Sequence, residues 1–167
     1  NAHFKLIDNI DLAGVDFRMI ASEYFQFQGT FDGNDHTISN FSFTSPEATG
    51  VGLFRYVSNG RIMNLGLIAP NVHVDAREFH GSLVGVLSAG NVTNCYVESG
   101  SITGLDEVGG LVGENGSSGI IMNCYFTGEV TGRDSIGGLV GQNLGSIKAS
   151  YSYADVEGQN AVGGLVG

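Results

Sequence analysis

The 167-residue sequence predicts an all-β chain wound as a right-handed parallel β-helix, a three-sided β-solenoid of about six coils. Three observations predict this fold class: the chain repeats itself, its apolar runs are short, and its turns are rich in glycine, with 27 glycines in total. No stretch shows the helical period over a useful length. Strands that recur without helices between them fit a coil in which each strand pairs with its counterpart one turn later.

The first repeated element is a glycine-bounded leucine motif. The aligned copies are "GVGLF" (50–54), "GSLVG" (81–85) and "GGLVG" at 109–113, 137–141 and 163–167. Short strands bounded by glycine turns are the pattern of β-strands rather than of helices. Valines follow the leucines in the later copies, at Val84, Val112, Val140 and Val166. They would form either an outward apolar stripe or, if a bulge turns them inward, part of the core.

The second repeated element carries an asparagine between apolar residues. Its copies are "LIDNIDL" (6–12), "TISNFSF" (37–43), "RIMNLGL" (61–67), "NVTNCYV" (91–97) and "IIMNCYF" (120–126), with "SIKASYS" (146–152) as a degenerate sixth. Strict alternation cannot place every apolar residue of such a copy inside, so the chain must bend at the asparagine, which tolerates left-handed backbone. We therefore expect an internal hydrogen-bonded ladder. Its members are Asn9, Asn40, Asn64, Asn94 and Asn123, and Ala149 breaks the series.

The residues after these asparagines form two further predicted columns. Cys95 and Cys124 would point inward, one above the other, either as core thiols or as a disulfide. The tyrosines that follow would stack outside the coil, at Tyr96, Tyr125 and Tyr151. An outer aromatic column is a candidate surface for stacking on sugars or on another protein, although such a column can equally serve only to stabilise the coils.

The motifs "GGLVG" and "NCY" followed by a glycine-flanked valine resemble the GLUG motif, a glycine-rich repeat of secreted and surface bacterial proteins. The same repeat flanks the catalytic part of some immunoglobulin-A-cleaving metallopeptidases. The stretch 9–41 resembles the segment that opens pectin-lyase-like right-handed β-helices. The resemblance implies one solenoid domain over 1–167, with N-terminal coils at 1–49 and GLUG-type repeats at 50–167. It also implies an extracellular or cell-surface location. Because the chain stops inside a repeat, we expect the natural chain to continue with more coils.

Charge and composition narrow the range of partners. A formal net charge of −10 disfavours binding to phosphate backbones, so no nucleic-acid partner is predicted. No apolar run approaches the length of a membrane span, so no membrane insertion is predicted for this segment. The expected partners are other domains of the same chain, cell-surface glycans or proteins, and further copies that join end to end.

A few residues are candidates for a catalytic or a metal-binding site. Asp32 and Asp35, with His36 beside them, could form a carboxylate pair, but Asp-Gly and Asn-Asp are also turn sequences. The histidines lack HExxH spacing, and no catalytic or metal residues are predicted. Five acidic residues in later turns could bind calcium weakly or form a solvated acidic surface; they are Asp106, Glu107, Asp134, Asp155 and Glu157.

The sequence therefore favours a non-catalytic extracellular module that acts as a spacer, stalk or adhesive domain of a larger protein. An enzyme site is normally one asymmetric place on a regular scaffold, and no such cluster of reactive residues interrupts the repeat. Two alternatives stay open: a carbohydrate-active β-helix or a fragment of one, and a subunit that assembles into filaments through its open edges.

Overall fold

A computed structural model describes residues 2–75 and 78–167 of the chain. Within that part the regular secondary structure is entirely β. The strands, in chain order, are β1 (His3–Lys5), β2 (Ile10–Asp11), β3 (Thr30–Asp32), β4 (Thr37–Ser39), β5 (Ser42–Ser45), β6 (Phe54–Met63), β7 (Gly66–Ile68), β8 (Asn71–Val74), β9 (Val84–Thr93), β10 (Tyr96–Thr103), β11 (Asp106–Gly109), β12 (Val112–Met122), β13 (Tyr125–Thr131), β14 (Asp134–Gly137), β15 (Val140–Asn143), β16 (Ser146–Lys148), β17 (Tyr151–Glu157) and β18 (Asn160–Gly163).

The strands form three sheets in which every described pairing is parallel. The first sheet has the order β1-β3-β6-β9-β12-β15, with β16 also paired to β12. The second has the order β17-β13-β10-β7-β4-β2, with β5 and β8 joined alongside. The third contains β11-β14-β18, and single bridges at His80 and Val51 extend it to earlier coils. The predicted all-β parallel solenoid of about six coils is therefore confirmed, with three parallel sheets.

Equivalent residues of successive coils are direct neighbours. In the first sheet one register line runs through five coils, and its members are Phe31, Ile62, Val92, Ile121 and Ile147. In the second sheet the corresponding line runs through Val72, Ile102, Val130 and Val156. Nearly all of these side chains are buried, so each coil adds one apolar layer to a continuous core.

The valines of the glycine-rich motif belong to this core. Val84, Val112 and Val140 are paired in register and fully buried, and Val166 bridges to Val140 at the last coil. The valine side chains therefore point into the core. The glycines beside them let adjacent coils approach closely. A Cβ at Gly85, for example, would lie 2.6 Å from the backbone oxygen of Gly50.

The earliest coils are less regular than the later ones. Between β2 and β3 the chain contains no strand and pairs with the first sheet through two single bridges, Ile20 to Phe54 and Phe27 to Val57. The aromatic rings of Phe27, Phe31 and Phe54 fill this end of the core. The ring centroids of Phe27 and Phe54 are 5.1 Å apart, and those of Phe31 and Phe54 are 5.2 Å apart. Such pairs favour tilted or edge-on contacts, as found here.

Candidate functional site

One corner of the solenoid carries a ladder of side-chain amides. Asn64, Asn94 and Asn123 each have a left-handed φ of 53–54°. Asn123 Nδ2 donates to Asn94 Oδ1 at 3.2 Å, and Asn94 Nδ2 donates to Asn64 Oδ1 at 3.1 Å. Asn64 Nδ2 then donates to Asp32 Oδ1 at 3.0 Å, so a carboxylate ends the ladder. Hydrogen bonds from the Asn34 backbone N–H and from Asn64 hold the pKa of Asp32 below its ordinary value.

The ladder differs from the sequence expectation in its position and its membership. Asn94 and Asn123 are exposed, so the ladder lies on the outside, because a left-handed residue at a corner turns its side chain away from the core. Asn40 is at a different corner, where its Nδ2 donates to Asp11 Oδ1 at 2.7 Å. Asn9 takes no part in the amide chain: its Oδ1 accepts from the backbone N–H of Thr37 at 2.9 Å.

The tyrosines form a stacked column beside this ladder. The ring centroids of Tyr96 and Tyr125 are 5.1 Å apart with planes 10° from parallel, and those of Tyr125 and Tyr151 are 5.2 Å apart with planes 7° from parallel. Tyr125 Oη donates to Glu98 Oε1 at 2.8 Å. Burial, together with that hydrogen bond, raises the pKa of Tyr125 above its ordinary value, so the phenol stays protonated.

This geometry limits what the tyrosine column can bind. A sugar ring stacks on an aromatic face, but here the faces of neighbouring rings cover one another. Gly66 lies below Tyr96 in the register and leaves room for its ring. The column therefore presents ring edges along most of its length, and its stacked faces connect successive coils.

The two cysteines lie inside the coil on adjacent levels and are free thiols. Cys95 Sγ is 3.4 Å from the carbonyl oxygen of Thr93, and Cys124 Sγ is 3.3 Å from that of Met122. Burial raises the pKa of the Cys95 thiol well above its ordinary value. Both side chains are shielded from solvent within the hydrophobic core.

The acidic residues divide between two sheets. Asp106 and Asp134 are register neighbours in the third sheet, and both contact Arg133: its Nη2 lies 2.7 Å from Asp106 Oδ1 and its Nε lies 2.9 Å from Asp134 Oδ2. Asp155 and Glu157 lie on β17 in the second sheet. The five residues considered for calcium thus do not converge. Within residues 2–75 and 78–167, no group of three or more His, Cys, Asp or Glu side chains has metal-binding geometry.

Glu107 follows Asp106 in β11, beside this ion pair. Its φ is 50°, and its buried Oε2 receives no hydrogen bond from the described residues. Partial burial, and then the nearby carboxylates, led by Asp106 and Glu78, raise the pKa of Glu107 above its ordinary value. This carboxylate therefore opposes folding when it is ionised.

The Asp32, Asp35 and His36 stretch folds as a turn. Asp32 Oδ1 accepts the backbone N–H of Asn34 at 2.9 Å, and Asp35 has a left-handed φ of 63°. His36 Nδ1 lies 3.2 Å from Asn9 Oδ1. The polar groups of Asp32 and His36 thus make turn and coil-to-coil contacts.

Sequence reasoning missed a second, inner amide pair. Asn115 is fully buried, and its Nδ2 donates to Asn143 Oδ1 at 2.7 Å. The two residues are register partners in β12 and β15. The alignment of "ENG" with "QNL" 28 residues later could have revealed them, since both asparagines follow the repeated "GGLVG" by the same offset.

Comparison with known proteins adds family information to this geometry. The family model described as the GLUG motif matches residues 106–131, which run from β11 to the end of β13. The chain carries the GLUG motif. The resemblance that the sequence suggested is thereby confirmed. The matched segment includes Arg133's partner Asp106, the inner residue Asn115 and Tyr125 of the tyrosine column.

Two curated relatives share sequence with this GLUG chain. Halomucin from Haloquadratum walsbyi is 36% identical over 128 residues, and a protein of Evansella cellulosilytica, provisionally described as a Gly-rich membrane protein, is 32% identical over 156 residues. Each match covers 70% of this chain, but only 1% of halomucin and 18% of the Evansella protein. The chain thus spans a small part of both relatives.

A solved structure shares the fold over nearly the whole chain. It is a crystal structure of a protein from Bacteroides ovatus, provisionally described as an immunoglobulin A1 protease. The TM-score is 0.81 at 26% sequence identity, and the match covers 99% of this chain and 54% of the other.

None of the described residues forms a helix long and apolar enough to cross a membrane.

Proposed function

We propose that this GLUG-repeat solenoid is a non-catalytic, rigid spacer of a larger secreted or cell-surface protein. The observation that carries the proposal is the continuous register: in the first sheet, paired positions run from Lys5 through Asp32, Met63, Thr93 and Met122 to Lys148. Each level rests directly on the one before. With about 4.8 Å per coil, such a stack sets a fixed distance between whatever is joined at its two ends.

The relatives support this role. The chain matches a small part of halomucin and of a protein described as a membrane protein, as a repeated module in a long surface protein would. Their names also support a location at the cell surface. The Bacteroides match covers about half of a chain described as a protease, which fits a solenoid that supports a separate catalytic part.

The contacts within the site support a structural role as well. Asp32 accepts hydrogen bonds from Asn64 and Asn34, and Asp106 accepts them from Arg133, so these two carboxylates are engaged in contacts that hold the chain. Their hydrogen bonds connect one level with the next or close a turn. The columns of amides and tyrosines likewise link the levels and strengthen the spacer.

The spacer role predicts a single, narrow distance along the rod. Spin labels attached at Lys5→Cys and Lys148→Cys, with Cys95 and Cys124 replaced by alanine, would be five levels apart in the register. Pulsed electron–electron double resonance should give a narrow distribution of distances between the labels. Its centre should be at ~24 Å plus the length of the label arms, from about 4.8 Å per level. A broad distribution would contradict a rigid spacer.

A separate assay tests the alternative of a carbohydrate-active chain. The protein is incubated with acidic and neutral polysaccharides in the presence of calcium, and new reducing ends are counted. The spacer proposal expects no turnover. Turnover that is lost in Asp32→Asn or Asp106→Asn would overthrow it, whereas turnover unaffected by both variants would indicate a contaminating enzyme.

A further inference from the structure

One segment leaves the regular coil at the first sheet. Ile20 and Phe27 are seven positions apart in sequence, yet they bridge Phe54 and Val57, which are only three positions apart. Four residues are therefore extra, and residues 21–26 form an excursion from the sheet. The backbone re-enters register on both sides: Ile20 N–H donates to Leu53 O at 2.8 Å and Phe27 N–H donates to Tyr56 O at 2.9 Å.

A tight turn at the tip of this excursion presents two aromatic rings to solvent. The Ser22 N–H donates to Phe25 O at 3.1 Å, and the Phe25 N–H donates to Ser22 Oγ at 3.2 Å. Tyr24 is 86% exposed and Phe25 is 83% exposed. Both rings are therefore accessible to a partner molecule.

A groove of about 310 Å³ adjoins the tip. Phe25 lines it together with Phe4 and Phe27, whose ring centroids are 6.3 Å apart. Gln26 and Gln28 are also among its lining residues, and no lining residue carries a charged side chain. Gln26 Nε2 donates to Glu23 O at 3.3 Å, a bond that restrains this amide.

We propose that this groove binds a neutral sugar ring of a glycan. One face of a pyranose carries C–H groups that pack on an aromatic ring, while its rim carries hydroxyls that both donate and accept hydrogen bonds. Primary amides match those hydroxyls, because each glutamine offers two donors and a carbonyl acceptor. The groove supplies both components, whereas the tyrosine column presents mainly ring edges. This site goes beyond the spacer role, which requires no ligand.

Size and charge decide between the candidate occupants. Small-ligand sites span roughly 300–1,000 Å³, and this groove falls at the lower end of that range. A stable protein interface needs about 20–30 residues on each side, far more than line this groove. Acidic sugars are disfavoured, because the lining has no cation and the chain has a net charge of −10.

The test uses the 167-residue chain and small probes: the methyl glycosides of glucose, galactose, mannose and N-acetylglucosamine, with methyl glucuronide as the acidic comparator. Saturation-transfer NMR detects binding, and amide chemical shifts report its position and affinity. At least one neutral glycoside should bind with millimolar affinity and shift the amides of residues 20–29. Phe25→Ala should weaken that binding by about tenfold, the scale of one aromatic contact.

Tyr153→Ala is the matched control, because Tyr153 is 84% exposed but lies on β17, in the second sheet. Its binding should equal that of the parent chain. Phe25→Ala and Tyr153→Ala should both keep the unfolding midpoint of the parent chain, since each truncates an exposed ring. Gln28→Ala provides a second variant in the groove. No binding of any neutral glycoside, preference for the glucuronide, or binding that survives Phe25→Ala would each overturn the proposal. A protein partner captured through Phe25, without sugar binding, would overturn it too. None of these results depends on the rigidity of the rod, so the spacer proposal is tested separately.

Discussion

Left-handed backbone recurs along residues 2–75 and 78–167, and within them six of the non-glycine residues that adopt it are asparagines. The preference has a physical cause: the short amide side chain can compensate for the steric cost of positive φ by bonding locally. Asn64, Asn94 and Asn123 meet both requirements at once, since each has positive φ and its amide also reaches the next level. One residue type thus bends the strand and joins the coils.

Gly66 tests the requirement for space at a single residue. A Cβ at this position would lie 2.6 Å from Tyr96 Oη, so Gly66→Ala must displace a ring that is stacked on Tyr125. We expect the free energy of unfolding to fall by about 1–3 kcal/mol, the usual cost of overpacking. Chemical denaturation measures it. Gly164→Ala is the control, because a Cβ there meets nothing within 4 Å; equal effects of the two variants would contradict the explanation.

Glu107 makes a pH-dependent prediction. Its pKa is raised in the folded chain above the ordinary value of 4.5, so its ionised form destabilises the fold at every pH above the folded-state pKa. Glu107→Gln should therefore have the higher unfolding midpoint at neutral pH. The difference should shrink as pH falls through the raised pKa and vanish below 4.5, where the carboxyl is protonated in both states.

Thermal unfolding followed by circular dichroism from pH 3.5 to 8 would show this trend for Glu107→Gln. The parallel variant Glu129→Gln, at an exposed position of β13, serves as the control for the loss of one negative charge. If Glu129→Gln stabilises the chain as much as Glu107→Gln does, net charge rather than burial is responsible. A difference for Glu107→Gln that persists at the lowest pH would also exclude the titration of Glu107 as its cause.

Among the repeated elements, the columns at the bends show which features can be read from sequence. The Asn64 column is visible because asparagine favours the left-handed conformation and recurs with the repeat. The bend that contains Asn40 continues through Ala69 and Ser99, which have φ values of 50° and 55°. Alanine and serine have no strong preference for that conformation, so this second column cannot be read from residue type.

The same limit explains the misplacement of Asn40. Its local pattern, apolar residues on both sides of an asparagine, is identical to that of Asn64, although the two belong to different bends. Only pairing separates them: the Asn40 N–H donates to Ile68 O, whereas the Asn64 N–H donates to Thr93 O. The outer position of the ladder was also beyond the pattern, because periodicity fixes which residues share a column but not the side to which a bent residue points.

The amide ladder gives a prediction at this scale. Asn94→Ala loses two amide bonds and leaves a Cβ residue at a φ of 53°, so the free energy of unfolding should fall by about 2 kcal/mol. Asn94→Gly loses the same bonds but tolerates the backbone, so about half of that loss is expected. Asn71→Ala, at an exposed position of β8, is the control and should have little effect. Equal losses for alanine and glycine would show that backbone strain contributes nothing.

For the whole molecule, contacts between successive levels replace the long-range contacts of a globular core. Stability is then close to a sum of nearest-neighbour terms, and opening begins where a level has one neighbour instead of two. In the 167-residue chain β12 pairs with strands on both of its sides, whereas β17 pairs with β13 alone. The repeat spacing predicted this architecture, since parallel stacking is the arrangement that gives every copy the same environment.

Hydrogen exchange should reveal that gradient. Backbone amides of β9 and β12 should exchange more slowly than those of β17. The central strands should exchange mainly through global unfolding, whereas β17 should exchange through local opening, which costs less free energy. Mass spectrometry of peptic peptides after timed labelling is sufficient to rank the strands. The tyrosine side chains of β17 need not be changed for this experiment. Uniform protection along the chain would mean that the solenoid unfolds as one unit, and the nearest-neighbour description would fail.

Ala149 follows Asn64, Asn94 and Asn123 in the register and has a φ of 46°, although it carries no amide. Its bend is maintained by the level beneath it, through the bond from the Asn123 N–H to Lys148 O. A copy of the repeat can therefore lose its signature residue and still adopt the shape dictated by its neighbour. In arrays of this kind, divergence should erase the recognisable motif long before it erases the coil, and counts of motif matches will underestimate the true number of turns.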